Sequence, residues 1–395
     1  EPKNRMQVVS PGIQLARQSK NLAPPPSRHV QRPAAALAST CREPSRAVCR
    51  FAPAVLAAAL VERGFHRRKS RPMRLSGRAV RSGTSPMQGC DRCQVVQGVS
   101  DIASRYDAFL VDLWGVIHNG KVAFPWAIKT LQKLREMGKP VVFLSNSSRR
   151  LQVNTKALER FGITRDLYLD CITSGEETWK ALAGKPESSA AKHLPPAVVE
   201  AKKLVVFGNG DDDDEFMESL PGCRLVGIAE ADLLLARGCF SLGTAGATSR
   251  ANWDELEGAL AAAADFQVPM LVANPDIVRP DGNDSPMPGR LAKRYVQLGG
   301  PTPHFVGKPH AAVYEEAYRL LQAEMGSDFS ASKVCMVGDS VWHDVQGASR
   351  MGIDVLFLCT GIHSQALGLE QAPATPKQVS EERLAAFLGA LAPDE

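Results

Sequence analysis

The sequence predicts an α/β fold whose core is a doubly wound parallel sheet. Short apolar runs alternate with helical patterns from about residue 100 onward, and the sequence shows no internal repeat. Three of the runs lead directly into a carboxylate or a cluster of small polar side chains, and a fourth segment carries a lysine beside a glycine. Ligands of open parallel sheets bind beyond the carboxyl ends of the strands, so this topology brings the four groups together.

The first strand is predicted at residues 108–112 (AFLVD), an apolar run that closes on Asp112. A turn (DLWGV) and a polar stretch (HNGKVAFP) follow it. The next helix is predicted over residues 126–137, and Gly138 ends it. This strand therefore presents Asp112 at its carboxyl end.

The second strand is predicted at residues 140–144 (PVVFL) and leads into Ser145, Asn146 and two further serines. These small donors can hold a phosphoryl oxygen, with Ser145 as the expected contact and Asn146 as a residue that shares its role. A helix over residues 153–161 follows.

The middle of the chain has the pattern of a second α/β segment. Strands are predicted at residues 203–207, 231–235 and 269–273, and a helix is predicted at residues 253–264. Within it, Gly208, Asn209 and Gly210 follow a strand but lack the third glycine of a dinucleotide fingerprint. Asp211 and its three acidic neighbours would repel a pyrophosphate, so this run is predicted to be a solvated acidic loop.

The last part of the chain supplies a cation and two carboxylates. Lys308 (FVGKP) is a compact charge suited to a phosphate, and a helix is predicted over residues 309–324. The apolar strand at 334–337 leads into Asp339, with Asp344 five residues later (GDSVWHD). Carboxylates are the hard oxygen ligands that magnesium prefers. Together with Asp112, these residues indicate phosphoryl transfer to an aspartate.

These residues resemble the haloacid dehalogenase superfamily, mostly magnesium-dependent phosphohydrolases with a Rossmann-like core. Further segments follow the order of its class IIA subgroup: ITSGEET, NPD, a Pro-Gly pair and GKP. The resemblance covers about residues 104–370 and implies a core of residues 96–150 and 271–391, with an α/β cap inserted at 151–270. Residues 1–95 remain as a basic N-terminal extension, which is predicted to be a disordered targeting segment.

The resemblance assigns a role to each site residue. It implies that Asp112 is the nucleophile, while Ser145 and Lys308 bind the phosphate and neutralise the transferring group. Magnesium would be bound by Asp112, Asp339 and the backbone carbonyl of Trp114. Asp344 would lie behind these ligands and orient Lys308 or a metal-bound water.

Trp114 is a departure from the first motif of the superfamily, which normally reads D-x-D. The second aspartate protonates the leaving group and then activates water, whereas an indole donates a hydrogen bond but cannot transfer a proton. General acid-base catalysis typically contributes about 100-fold to 10,000-fold, so weak activity is one expectation. A second hypothesis is that His118 or His343 replaces the missing acid. Some class IIA relatives resemble this chain in carrying D-x-W-G-V.

Two functions follow from this pattern. The first is a magnesium-dependent phosphatase of small phosphorylated metabolites, with an aspartyl-phosphate intermediate. The alternative is a catalytically impaired protein that binds a phosphometabolite or a protein partner. The retained carboxylates favour catalysis, because they repel each other without a metal. The resemblance also implies that the cap can form a homodimer.

The first hundred residues differ from the rest in charge. They hold 18 Lys or Arg and 4 acidic residues, against 29 and 38 in the remainder. An Arg-rich, Ser-rich and acid-poor segment is typical of a plastid or mitochondrial transit peptide, and the alternative is a basic tail on a cytoplasmic protein. Aromatic residues do not interleave with the arginines, which disfavours nucleic-acid binding. The ten-residue apolar run at 51–60 is too short to span a bilayer.

Overall fold

The computed structural model describes residues 58–61, 93–96, 98–279 and 285–368, all within one compact unit. Most of the predicted N-terminal extension, and the predicted core beyond residue 368, lie outside these ranges. The described residues form two β-sheets flanked by helices, which confirms the predicted α/β class. Among them, none of the helices combines the length and apolar character that a bilayer crossing requires.

The strands are numbered in chain order. They are β1 (Ala58–Val61), β2 (Cys93–Val96), β3 (Ala108–Asp112), β4 (Val141–Ser145), β5 (Asp170–Thr173), β6 (Lys203–Gly208), β7 (Arg224–Leu225), β8 (Leu233–Ala236), β9 (Ser241–Thr244), β10 (Ala247–Arg250), β11 (Met270–Val272), β12 (His304–Phe305), β13 (Val334–Gly338) and β14 (Asp354–Leu358).

The α-helices are numbered in the same way. They are α1 (Pro125–Glu136), α2 (Leu151–Arg160), α3 (Ser174–Leu182), α4 (Pro196–Val199), α5 (Asp213–Glu218), α6 (Trp253–Asp265), α7 (Pro288–Gln297), α8 (Ala311–Met325) and α9 (Gln346–Met351). Four of them, α1, α2, α6 and α8, confirm the predicted helices to within a few residues at each end.

The core sheet has the strand order β2-β1-β14-β13-β3-β4-β5. Strands β14, β13, β3, β4 and β5 are parallel, and β1 pairs antiparallel with β14 and with β2. Residues 58–61 and 93–95 therefore belong to the core sheet, which corrects the prediction of disorder for that part of the extension. Every residue of β3 and β13 is buried, with an apolar cluster on each face of the sheet. Such uniformly apolar strands are expected in a parallel sheet that helices cover on both sides.

The cap sheet has the order β10-β9-β6-β8-β11-β12, with β7 paired to β6. Strands β6, β8, β11 and β12 are parallel, and β9 and β10 are antiparallel. Helices α6 and α7 contribute buried residues to the apolar cluster on one face, while α3, α4 and α5 contribute to the other. Helix α6 begins with a capping box, in which Asn252 and Glu255 bind each other's backbone N–H groups.

The sheet pairings differ from the predicted cap boundaries of 151–270. Strand β5 pairs with β4, so α2 and β5 belong to the core. At the other end, β11 pairs with β8 and β12 pairs with β11, so the cap sheet extends to Phe305. The prediction failed here because a short buried strand carries no local mark of the sheet it will join.

Candidate active site

Asp112 and Lys308 form a buried ion pair at the carboxyl edge of the core sheet. Asp112 is the last residue of β3, and Lys308 lies in the loop between β12 and α8. The Nζ atom of Lys308, a residue only 2% exposed, is 2.5 Å from Oδ1 of Asp112. Burial disfavours the ammonium, but Asp112 and then Asp344 outweigh it and raise the pKa of Lys308 above its usual value. The lysine is therefore charged beside Asp112.

Asp344 is fully buried behind this pair. Its Oδ2 accepts the backbone N–H groups of Asp339 and Ser340, at 3.1 and 3.0 Å. Its Oδ1 is 2.8 Å from Nζ of Lys308, a distance that makes an ion pair although the alignment is not that of a hydrogen bond. A Cβ on Gly338 would come within 2.2 Å of the Asp344 carboxyl carbon, so glycine is needed there. These contacts place Asp344 where it can orient Lys308.

Asp112, Asp339 and Asp344 gather their carboxylates in one place. One oxygen from each lies within 4.8 Å of the others. Burial raises the pKa of Asp112 to about 7, with Lys308 acting against the rise and Asp344 adding to it. Burial, followed by the charges of Asp112 and Asp344, raises the pKa of Asp339 well above its usual value. A hard divalent cation would neutralise the negative charges of these carboxylates, and an all-oxygen donor set fits magnesium.

Asp112 and Asp339 are the members of this cluster that face a cation most directly, because Asp344 is occupied by Lys308 and two backbone donors. The Oδ2 atom of Asp339 accepts the N–H of Ile362 at 2.9 Å, which fixes the carboxylate. A Cβ on Gly115 or Gly361 would lie 2.0 or 2.1 Å from this oxygen. The loops after β3 and β14 thus close around Asp339 only because both positions are glycine.

The loop after β4 lies beside Asp112. Leu144 is paired with Asp112, which places Ser145 one residue beyond it at the same edge of the sheet. The Oγ of Ser145 accepts the N–H of Ser147 at 3.2 Å, and the carbonyl of Ser147 accepts the N–H of Gly175 at 2.9 Å. The loop therefore has a fixed conformation next to Asp112.

Asn146 clamps the backbone of Lys308. Its Oδ1 accepts the N–H of Lys308 at 2.7 Å, while its Nδ2 donates to the carbonyl of Lys308 at 3.1 Å and to Oδ1 of Asp276 at 2.9 Å. Sequence reasoning predicted a phosphate contact for Asn146 and missed this positioning role. The NPD segment was the only signal for Asp276, because the contact spans 130 residues.

Trp114 is half-buried and packed among three neighbours. Its ring centroid lies 5.7 Å from that of His118, and the guanidinium of Arg279 lies 5.6 Å from the ring. A Cβ on Gly120 would come within 2.4 Å of the indole. These three neighbours hold the indole in one position, while the metal contact of the Trp114 carbonyl stays a prediction.

His118 and His343 have structural partners. His118 is buried and accepts the N–H of Gly120 at Nδ1, and burial lowers its pKa to about 4. The ring nitrogens of His343 lie 2.9 Å from Oγ of Ser340 and 3.4 Å from Oδ1 of Asp276. Within the described part of the chain, neither imidazole forms a hydrogen bond to Asp112. The hypothesis that either one replaces the acid gains no support from this geometry.

The acidic run of the cap is only partly the solvated loop that the sequence predicts, because Asp211 and Asp214 are exposed while the two aspartates between them are not. Asp213 is buried, and its carboxylate accepts the N–H groups of Asn209 and Gly210 and the hydroxyl of Ser241. Arg237, which is 1% exposed, lies 2.7 Å from Asp213. The prediction failed because the partner is 24 residues away and arginine carries no local mark of burial.

The parallel core sheet, the second sheet inserted into it and the buried Asp-Lys-Asp cluster are the features of a capped hydrolase with a Rossmann-like core. Residues 109–219 match a family described as haloacid dehalogenase-like hydrolase, and residues 305–385 match a HAD-hydrolase-like family. These matches confirm the resemblance to the haloacid dehalogenase-like hydrolases.

Curated relatives and solved structures agree with this placement. Chronophin from Bos taurus is 25% identical over 292 residues, which cover 72% of this chain and 90% of the relative. The 4-nitrophenylphosphatase of Schizosaccharomyces pombe is 25% identical over 300 residues, with 70% and 91% covered. A haloacid dehalogenase-like hydrolase from Brucella suis 1330 superimposes with a TM-score of 0.56 at 28% identity, covering 68% of this chain and 90% of that structure.

Proposed function

We propose that the protein is a magnesium-dependent phosphatase that hydrolyses monoesters of small phosphorylated metabolites. The observation that carries the proposal is the ion pair of Asp112 and Lys308 beside Asp339. Similarity to relatives such as the 4-nitrophenylphosphatase of Schizosaccharomyces pombe supports the same reaction class.

In the proposed reaction, Asp112 attacks phosphorus and displaces the leaving group as an alkoxide or aryloxide, which takes a proton from solvent water. A second water then cleaves the aspartyl phosphate, which releases inorganic phosphate and frees the Asp112 carboxylate. Lys308 and Ser145 hold the phosphoryl oxygens, and Asn146 and Asp344 fix Lys308 from opposite sides. Lys308 also partly offsets the burial that raises the pKa of Asp112, which favours the ionised nucleophile. Bound magnesium, held by Asp112, Asp339 and the Trp114 carbonyl, would neutralise charge on the transferring group.

The test is hydrolysis of 4-nitrophenyl phosphate and a panel of sugar, nucleotide and glycerol phosphates by the full chain with magnesium. We expect turnover that falls at least about 1,000-fold in Asp112→Asn, because the nucleophile is lost. The exposed Asp166 offers a matched control, and Asp166→Asn should leave turnover unchanged. Equal activity of Asp112→Asn and the wild type would exclude Asp112 as the nucleophile.

Trp114 favours a second candidate function, a protein that binds a phosphometabolite without efficient chemistry. Its expected signature is magnesium-dependent binding of inorganic phosphate or vanadate without turnover of any ester in the panel. This second function is excluded if the wild type hydrolyses any ester of the panel and Asp112→Asn abolishes that hydrolysis.

A further inference from the structure

The acidic loop of the cap (residues 209–214) contacts the core directly after the serine loop (residues 145–148). The Nη2 of Arg149 lies 2.8 Å from both carboxylate oxygens of Asp211, and its Nη1 lies 3.4 Å from Asp212. The side chains of Ser148 and Asn209 exchange hydrogen bonds of 3.3 and 3.4 Å. Consecutive core residues are thus bound to the cap loop.

The acidic loop is rigid on the cap side of this contact. Asp212 joins Arg149 to the buried Arg237, whose Nη2 lies 3.1 Å from it. The guanidinium of Arg237 also stacks 3.7 Å above the ring of Phe216. Together with Asp213, this arginine gives the loop a fixed position, so the loop can act as an anchor.

The serine loop is equally constrained on the core side. Thr173 donates from Oγ1 to the carbonyl of Arg149 at 3.0 Å. A Cβ on Gly175 would lie 2.1 Å from the carbonyl oxygen of Ser148, so the backbone of helix α3 is packed directly against the backbone of the serine loop. The N–H of Arg149 also lies 3.4 Å from Oγ of Ser147. A displacement of Arg149 is therefore passed to the serine loop.

We propose that Arg149 is a positioning residue that couples cap docking to phosphate binding. Its bond to Asp211 and Asp212 holds the serine loop in the conformation that presents Ser145 to the phosphate. This inference rests on the proposed function only in taking the serine loop as the phosphate contact. The Arg149 side chain is 32% exposed and that of Asp211 57%, so salt weakens the contact. Phosphate affinity should consequently fall as ionic strength rises.

The experiment measures 4-nitrophenyl phosphate kinetics and calorimetric binding of inorganic phosphate with magnesium, using the full chain at low salt. We expect Arg149→Gln to raise KM and the phosphate Kd about 5- to 10-fold, the loss expected for a charge-assisted contact. Asp211→Asn should show a smaller increase in both, because Arg149 keeps its contact with Asp212. The kcat should change little, because the phosphate contact exists in both the ground state and the transition state.

The double variant tests the coupling. Arg149→Gln combined with Asp211→Asn should bind phosphate no more weakly than Arg149→Gln alone, because both changes remove one interaction. Additive losses in the double variant, or unchanged phosphate binding in Arg149→Gln, would overturn the proposal. Arg149→Lys should recover part of the affinity, since it keeps the charge but lacks the second nitrogen that lets Arg149 contact Asp211 and Asp212 at once.

Two further measurements separate this proposal from other causes. Thermal unfolding of Asp211→Asn checks that the fold is retained, and Arg135→Gln removes an exposed core ion pair with Asp166 as the matched control. If the wild type binds phosphate but hydrolyses no ester, only the proposed phosphatase activity is contradicted. The role of Arg149 is then still tested by the phosphate Kd of its variants. A wild type that binds no phosphate and shows no turnover contradicts both.

Discussion

At the scale of single residues, the proposed reaction makes the leaving group depend on Trp114, which stands where the superfamily has its acid. The indole cannot donate a proton, so we expect the rate to depend steeply on the leaving-group pKa, with aryl phosphates hydrolysed far faster than alkyl phosphates. In Trp114→Asp the acid is restored. The alkyl ester should then gain at least about 10-fold while the nitrophenyl ester gains little.

The control for this prediction is Trp114→Asn, which supplies a small polar side chain without an acid. If Asn and Asp raise alkyl ester turnover equally, the gain comes from removing the indole, and the missing proton is not what limits the wild type. Measuring kcat/KM against leaving-group pKa for all three proteins gives the comparison directly.

His118 predicts a pH dependence of stability. Burial lowers its folded pKa to about 4, below the ordinary value, so the unfolded chain binds the proton more readily. The stabilisation is fully present above about pH 6.5 and is lost as the pH falls. The loss in the free energy of unfolding amounts to about 3 kcal/mol at pH 4. Denaturant unfolding of wild type and His118→Gln across this range measures it, and the difference between them should shrink with acid. The half-exposed His193 serves as control, since His193→Gln should not change this slope.

The convergence of the candidate site residues was predictable from sequence for those that lie at strand ends. Asp112, Ser145 and Asp339 each follow or close an apolar run, and the structure brings these strand ends to one edge of the sheet. The supporting contacts were not predictable. Asn146 binds Lys308 from 162 residues away, and Ile362 binds Asp339 through its backbone, so neither pairing leaves a local pattern.

At the scale of elements, Arg237 stabilises the end of β8 and the acidic loop. Arg237→Met should remove the partner of the buried Asp213 and lower the free energy of unfolding by about 3–5 kcal/mol. The double variant with Asp213→Asn should recover part of this loss, because the uncompensated charge disappears. Urea unfolding of the three proteins measures both effects, and equal stability of Arg237→Met and the wild type would show that Asp213 needs no buried cation.

Elements were predicted better than the sheets they join. Apolar runs and caps identified α1, α6 and β6 within a few residues, since these signals are local. The sheet to which β5 or β11 belongs depends on the strand with which each one pairs. The sequence of a short buried strand does not indicate that partner.

At the scale of the whole molecule, the buried carboxylates link stability to metal binding. Without a cation, Asp112, Asp339 and Asp344 oppose one another, and burial raises the pKa of Asp112 and Asp339. Under the proposed function magnesium would bind the folded site and not the unfolded chain, so at 100 times its Kd it should stabilise the fold by about 2.7 kcal/mol. Thermal unfolding with magnesium and with EDTA should show this as a rise of several degrees.

Asp339→Asn sharpens the same prediction. The amide oxygen can still accept the N–H of Ile362, but one of the crowded carboxylates is gone. In EDTA the variant should therefore unfold at a higher temperature than the wild type, by about 2–4 °C for each kcal/mol of relieved repulsion. With magnesium the order should reverse, because the variant lacks a ligand. The exposed Asp328 is the control, and Asp328→Asn should respond to magnesium as the wild type does. If the variant is less stable than the wild type in EDTA, Asp339 stabilises the metal-free fold. In that case repulsion among the three carboxylates does not destabilise the metal-free protein, and the prediction is wrong.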